Sequence, residues 1–320
     1  MVQPSTTHRR TPVLIAGPTA SGKSSLALEI ADRVGGVIVN ADALQVYANW
    51  CVLSARPDKD DLDRHPHLLY GHVPPRQAYS VGDWLGDMEQ VIAEADAARR
   101  RLIIVGGTGM YLTSLTQGLS RIPPIPDSVR QLGDEMRRRD GTFSFVSDLS
   151  EGDPAGLKKI DQNNPARLQR AWEVLRSTGR PLHHWQKEKE PPLIQPQTAM
   201  TICLHAPPDW LKARIEGRFA AMVETGALDE CRAWKALDLS FDLPSGKAIG
   251  ARELCLFLDG EMSLEQAIDK AQIATRQYAK RQRTWFRSRM SDWTALEISK
   301  GRPVADIASR IEKMDTQGGN

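Results

Sequence analysis

The run Gly17-Pro18-Thr19-Ala20-Ser21-Gly22-Lys23-Ser24 has the spacing G-x-x-x-x-G-K-[ST]. A loop of this kind wraps a phosphate in backbone N–H groups, while Lys23 supplies a mobile cation and Ser24 a hydroxyl for Mg²⁺. The pattern calls for a diphosphate or a triphosphate and does not say which, nor which bond is broken. Asp42 follows the apolar stretch Val37-Ile38-Val39, at the strand end where open α/β sheets bind ligands. A carboxylate there can hold Mg²⁺, act as a general base, or only cap a turn. Thr108 has a like position inside Gly106-Gly107-Thr108-Gly109, whose glycines let backbone approach a ligand or simply make a turn.

These groups need a scaffold that brings strand ends together. Pro12–Ala16, Val37–Val39 and Leu102–Val105 read as short buried strands, and Ser24–Val34 and Trp84–Arg101 carry helical spacing between them. That alternation predicts an α/β fold: a parallel sheet of P-loop NTPase type flanked by helices. Residues 121–197 change character, opening on Arg121-Ile122-Pro123-Pro124-Ile125-Pro126 and closing on Glu190-Pro191-Pro192, with helical stretches between. They read as an all-helical domain inserted into a core made of 12–120 and 198–300. Thr198–His205 resumes a strand, and Asp209–Glu224, Ala227–Leu237, Ala248–Leu258 and Ser263–Met290 read as helices. Residues 1–11 and 310–320 are expected to be flexible tails.

The chain has 320 residues, 41% apolar and 26% charged, with 42 basic and 40 acidic side chains and a net charge of +2. Such a chain builds an ample core, which excludes a disordered or collagen-like protein. No apolar run approaches the roughly 20 residues of a membrane helix. Cys51, Cys203, Cys231 and Cys255 are widely spaced, so neither a paired-cysteine zinc site nor a disulfide framework is expected, and a reducing cytoplasm fits. Residues 1–11 lack the apolar stretch of a secretory signal. The histidines (65, 67, 72, 183 and 184) read as surface polar groups rather than metal ligands. With no global positive charge, a nucleic acid must be met locally. Arg276, Lys280, Arg281, Arg283, Arg287 and Arg289 interleave with Tyr278, Trp285 and Phe286. This segment is either an RNA-tracking surface or a solvated basic face over an aromatic core stripe.

Six blocks, GPTASGKS at 17–24, NADALQVY at 40–47, SARP at 54–57, VGGTGMYL at 105–112, NNPARLQRAWEVLRSTG at 163–179 and TRQYAKRQRTWFR at 275–287, follow in this order. Together they resemble the bacterial tRNA dimethylallyltransferases, also called tRNA isopentenyltransferases, over about residues 12–295. The resemblance implies transfer of a dimethylallyl group from dimethylallyl diphosphate to N6 of adenosine 37, beside the anticodon of tRNAs that read codons beginning with U. It implies Mg²⁺ as cofactor, the tRNA anticodon stem-loop as partner and a monomeric protein. By the same resemblance the loop 17–24 and Arg218 hold the diphosphate, and Asp42 is the general base, with Lys23 and Thr108 also in the catalytic set. The tRNA would meet Asp42-Ala43-Leu44-Gln45, Thr108, Arg130, Ala166-Arg167-Leu168-Gln169-Arg170 and Lys247-Ala248-Ile249-Gly250-Ala251-Arg252. Three features depart from the family pattern: Ala43 after Asp42, Ala251 where Tyr is common, and the segment 48–53.

The implied chemistry suits these residue types. Adenine N6 is a weak nucleophile, and a carboxylate that takes its proton as the C–N bond forms contributes about 10²–10⁴-fold. The departing diphosphate gains charge, which Lys23, Arg218 and loop amides would stabilise. Three other readings share the phosphate loop. A small-molecule kinase would consume ATP with no prenyl donor. An adenylate prenyltransferase would need no insertion. A nucleotide-switched RNA-binding module would leave its RNA unmodified.

Overall fold

The computed structural model describes residues 10–317. Among them six strands form one parallel sheet: β1 (Val13–Ala16), β2 (Val37–Asn40), β3 (His67–Leu68), β4 (Leu102–Gly106), β5 (Met200–His205) and β6 (Thr294–Glu297). Their order is β3-β2-β4-β1-β5-β6, and every pairing is parallel. Strand β1 is central. Val13 pairs with Ile103 of β4 on one side and Met200 of β5 on the other. Its side chains alternate between two cores, Leu14 and Ala16 on one face of the sheet and Val13 and Ile15 on the other. A strand buried on both faces must be continuously apolar, which is why VLIA and LIIV stand out in the sequence. The short strands β3 and β6 lie at the two sheet edges, where half-exposed residues leave no such run.

The first core is covered by the helix Val81–Ala97, through Trp84, Met88, Val91 and Ile92. The helices Lys23–Val34, Pro208–Glu224 and Val304–Gln317 cover the second. A third cluster, around Trp50, Trp234, Cys231 and Cys255, joins the helices Ala227–Ala236, Ala251–Leu258 and Leu264–Arg289.

The chain divides into two compact units, the sheet unit (up to Thr116 and from Leu193) and a helical unit, Gln117–Pro192. The helical unit begins and ends a few residues earlier than the 121–197 expected, because Leu193 and Ile194 pack into the first core of the sheet unit. Its own core is Met136, Phe145, Leu149, Leu157, Leu168, Ala171 and Trp172. The helix Pro165–Thr178 begins where the Asn164 side chain accepts from the Arg167 amide, and ends at left-handed Gly179.

The tails need correction. Residues 310–317, expected to be flexible, are the end of the helix Val304–Gln317, whose Ile307 and Ile311 are buried. Thr11 is buried too, and its amide donates to Asp315 Oδ1 at 2.8 Å. The buried Arg101 donates to Asp315 Oδ2 at 2.7 Å and to the Thr11 carbonyl at 2.6 Å. Sequence periodicity missed this, since Asp315 gains its meaning only from partners some 200 and 300 residues away. Positions 1–9 and 318–320 of the expected tails lie outside the described residues.

Burial alone would raise the Asp315 carboxyl, but the bonds from Arg101 and Thr11 outweigh it and hold the group down to about 2. A carboxylate depressed in the folded state stabilises fully above its unfolded value of about 3.9, and the gain is lost as pH falls towards 2. Asp315→Asn leaves Arg101 buried without its counter-charge and should cost about 2–4 kcal/mol in urea unfolding at neutral pH. The gap from the parent protein should close as pH drops below about 4. A constant gap across that range would contradict the assignment.

Candidate active site

The phosphate loop leaves β1 at Ala16. A side chain on Gly17 would begin 2.8 Å from Ser21 Oγ and 2.9 Å from Leu204 Cβ, so only glycine fits. Ala20 and Gly22 take left-handed backbone angles, φ 61° and 85°. Such turns point successive amides into one concavity, an anion nest. The helix Lys23–Val34 then starts with no side-chain cap and no acid in its first turn. Its free amides and positive end face the concavity unneutralised. Ser21 Oγ is buried with no hydrogen-bond partner, and Ser24 is exposed on the first turn.

The helix Pro208–Glu224 closes the loop from outside. Arg214 Nε donates to the Ala20 carbonyl at 2.9 Å, and Arg218 Nη2 donates to Thr19 Oγ1 at 2.7 Å. Lys23 and Arg218 thus lie close enough to feel each other's charge. Burial pushes the Lys23 ammonium down to about 8; Asp42 opposes the shift and Arg218 adds to it. Burial likewise lowers Arg218, against the pull of Asp42.

Asp42 is set by the end of β2. Buried Asn40 donates through Nδ2 to the carbonyls of Asp42 and Leu69 and accepts from the Asp42 amide at 2.8 Å. Its own carbonyl accepts from Trp84 Nε1. The Asp42 carboxylate takes the Leu44 amide on Oδ1 at 3.1 Å. It therefore does cap a turn, yet one hydrogen bond leaves it most of its acceptor capacity. Thr108 is its neighbour: Thr108 Oγ1 accepts from the Ala43 amide at 2.9 Å, and the Thr108 amide donates to the Ala41 carbonyl. The two loops that sequence placed at strand ends are thereby tied to each other.

The long helix Leu264–Arg289 crosses both. Thr275, Tyr278, Ala279, Gln282, Trp285 and Phe286 follow helical spacing along the side facing the sheet. Gln282 bonds both the phosphate loop and the Gly107 loop. A side chain on Gly109 would meet Trp285 at 2.2 Å. Burial raises the Tyr278 phenol well above its ordinary value, so it stays protonated. Of the two readings of the basic segment, the structure shows the solvated basic face over an aromatic core stripe. Phe286 is core, and Trp285 packs on the first core, whereas Lys280, Arg281, Arg287 and Arg289 are exposed.

A cavity of about 300 Å³ opens among these groups. Thr19, Asp42 and Arg218 line one part, and Leu44, Leu53, Ile215, Phe219, Met222 and Ile249 supply an apolar part. An anion-binding head beside an apolar pocket suits a short hydrocarbon chain carrying a diphosphate. The apolar wall was missed in the sequence, although Ile215, Phe219 and Met222 share one helix face with Arg218 at three- and four-residue steps. Gln282 was missed inside a block noted only for its charge and aromatics.

The remaining candidates fall in several places. Gln45 donates its amide hydrogens to the Ser54 and Ala55 carbonyls. Lys247 lines the cavity mouth, and Arg252 lies over the Phe241 ring. Gly250 has φ 94° and no room for a side chain against Phe219. Ala248 and Ala251 are buried, and Ala251 belongs to the third core, so the smaller residue here packs inward. In the helical unit Arg130, Ala166, Arg167 and Arg170 are exposed, while Leu168 is core and Gln169 bonds Asp134 and Glu173. Partial burial lowers Arg170, against the pull of Glu173 and with a smaller push from Arg130. His65, His72 and His183 pair with Asp32, Asp87 and Asp153 respectively. Among the described residues no three His, Cys, Asp or Glu side chains gather as a metal site.

The family described as IPP transferase matches residues 45–289, and that described as isopentenyl transferase matches residues 11–70. The tRNA dimethylallyltransferase of Dinoroseobacter shibae is 54% identical over 288 residues, 88% of this chain and 93% of its own. That of Cereibacter sphaeroides is 53% identical over 287 residues, 90% of this chain and 96% of its own. The tRNA isopentenylpyrophosphate transferase structure from Bacillus halodurans superposes with a TM-score of 0.68 at 29% identity, over 97% of this chain and 98% of that one. Relatives this similar, matched along nearly their whole length, leave one conclusion: the chain belongs to the IPP transferase family of tRNA dimethylallyltransferases.

Proposed function

We propose that the protein transfers the dimethylallyl group of dimethylallyl diphosphate to N6 of adenosine 37, in tRNAs reading codons that begin with U, giving N6-(dimethylallyl)adenosine and diphosphate. That it is a tRNA-prenylating enzyme follows from its family. The donor, the acceptor position and the residue roles are our reading. One observation carries it: Thr19 of the phosphate loop, Arg218, the Asp42 carboxylate and an apolar wall line one cavity. The helical unit and the exposed arginines at 130, 167 and 170 favour a tRNA over a free adenylate as acceptor.

The nest amides, Lys23 and Arg218 would hold the diphosphate, and Phe219, Met222 and Leu53 the five-carbon chain. Charge grows on the bridging oxygen as the allylic C–O bond breaks, at the point where these donors converge. Asp42, beside Thr108, would accept the N6 proton as the C–N bond forms. Closure of the cavity by the base and the apolar wall keeps water from the donor. Adenosine 37 must leave the anticodon-loop stack to reach this depth.

The residues present fit Mg²⁺. Ser24 offers a hydroxyl beside the nest, and with no cluster of acids among the described residues the ion would be held mostly by diphosphate oxygens and water, as that ion prefers. When bound it would neutralise charge on the leaving diphosphate.

The test incubates the protein with Mg²⁺, dimethylallyl diphosphate and unmodified tRNA, with AMP in a parallel tube, and reads nucleoside masses. A prenyl increment at adenosine 37 is expected; an increment only on AMP would overturn the reading. Asp42→Ala should keep tRNA and donor affinity and lose about 10²–10⁴-fold in the transfer step. Unchanged turnover would remove Asp42 from the base role. Lys23, held near 8 by burial, must rise when a diphosphate docks beside it. Diphosphate binding near pH 8 should therefore take up a proton, seen by calorimetry in buffers of different ionisation enthalpy, and Lys23→Met should abolish the uptake.

A further inference from the structure

Gln282 is the one buried side chain of the long helix with a hydrogen bond to each of two catalytic loops. Its Oε1 accepts from the Thr19 amide at 2.8 Å, and its Nε2 donates to the Gly107 carbonyl at 2.8 Å. The partners fix the amide's orientation, since Thr19 N only donates and Gly107 O only accepts. Glutamine alone among ordinary side chains of this length offers both an acceptor and a donor at neutral pH.

The contacts continue on either side. Thr19, through Oγ1, accepts from Arg218. Gly107 has no room for a side chain: one would begin 2.4 Å from Gln282 Nε2 and 3.0 Å from Asp42 Oδ2. Thr108, the next residue, is bonded to the backbone on both sides of Asp42. An unbroken line of contacts thus runs Arg218, Thr19, Gln282, Gly107, Asp42. One end holds the leaving group in the proposed function, and the other takes the nucleophile's proton.

We infer that Gln282 is a positioning residue that sets the separation between the diphosphate loop and the general base Asp42. This rests on the proposed reaction. A direct displacement needs nucleophile, carbon and leaving group aligned, and misplacement by about 1 Å can cost 10²-fold. Gln282 touches none of the reacting atoms. Its effect must appear in the rate of the bound complex rather than in either affinity.

Gln282→Met keeps the length and removes both bonds. At saturating donor and tRNA we expect kcat to fall about 30-fold or more, with tRNA Kd and donor KM within about threefold of the parent. Gln282→Glu supplies the control for packing. Its protonated carboxyl again accepts from Thr19 and donates to Gly107, whereas the carboxylate repels the Gly107 carbonyl. Its kcat, taken relative to the parent, should recover as pH falls from about 8 to about 6, because the buried site raises the new carboxyl. Full kcat in Gln282→Met overturns the inference. So does a kcat loss in both variants that tracks lost tRNA affinity and shows no recovery at low pH. No transfer by the unsubstituted protein would instead be the failure of the functional reading.

Discussion

A side chain on Gly106 would begin 2.0 Å from the carbonyl oxygen of Ala41, far inside van der Waals contact. That clearance records how tightly the ends of β4 and β2 are pressed together, backbone on backbone. Parallel pairing puts the carboxyl ends of β1, β2 and β4 side by side, and each continues into a loop that carries a candidate site residue. Glycines at 17, 106, 107 and 109 stand where a side chain would strike Ser21, Ala41, Gln282 or Trp285. The Ala41 carbonyl also accepts from the Thr108 amide, so the same atom that limits residue 106 anchors residue 108. Every distance in the site descends from that packing.

The protein groups of the site do not balance their own charge. An uncapped helix start and Lys23 stand in the same loop as Thr19, which lines the cavity with Arg218 and the Asp42 carboxylate. An arrangement that lowers a lysine and an arginine gains when a polyanion enters, because the anion supplies the counter-charge that Asp42 only partly provides. The unfavourable crowding and the proposed affinity for diphosphate would be one property. The strained left-handed turn at Ala20 belongs with it, since that turn faces the amides inward.

Much of this was legible in the sequence. The phosphate loop, Asp42 and Thr108 sit on short-range patterns whose meaning survives without a fold. The three central strands were readable because burial on both faces demands unbroken apolar runs. Edge strands β3 and β6 were not, being short and half exposed. Residues 310–317 read as a tail because the partner of Asp315, Arg101, lies most of the chain away. Gln282 and the apolar wall were hidden for a related reason. A glutamine in a basic helix looks like surface until the phosphate loop and the Gly107 loop are known to lie against it. Ala251 was weighed as an RNA contact and is core, because its neighbour Gly250 turns the chain inward against Phe219.

The central claim is that one cavity holds leaving group, hydrocarbon and acceptor base in line. Its most direct test is a crystal structure with an unreactive thio analogue of dimethylallyl diphosphate and a tRNA anticodon stem-loop. The account predicts diphosphate oxygens on the amides of the 17–24 loop and on Arg218, and the hydrocarbon against Phe219 and Met222. It also predicts the adenine N6 about 2.6–3.2 Å from the Asp42 carboxylate. A diphosphate bound away from the loop, or an adenine whose N6 faces a group other than Asp42, would contradict it.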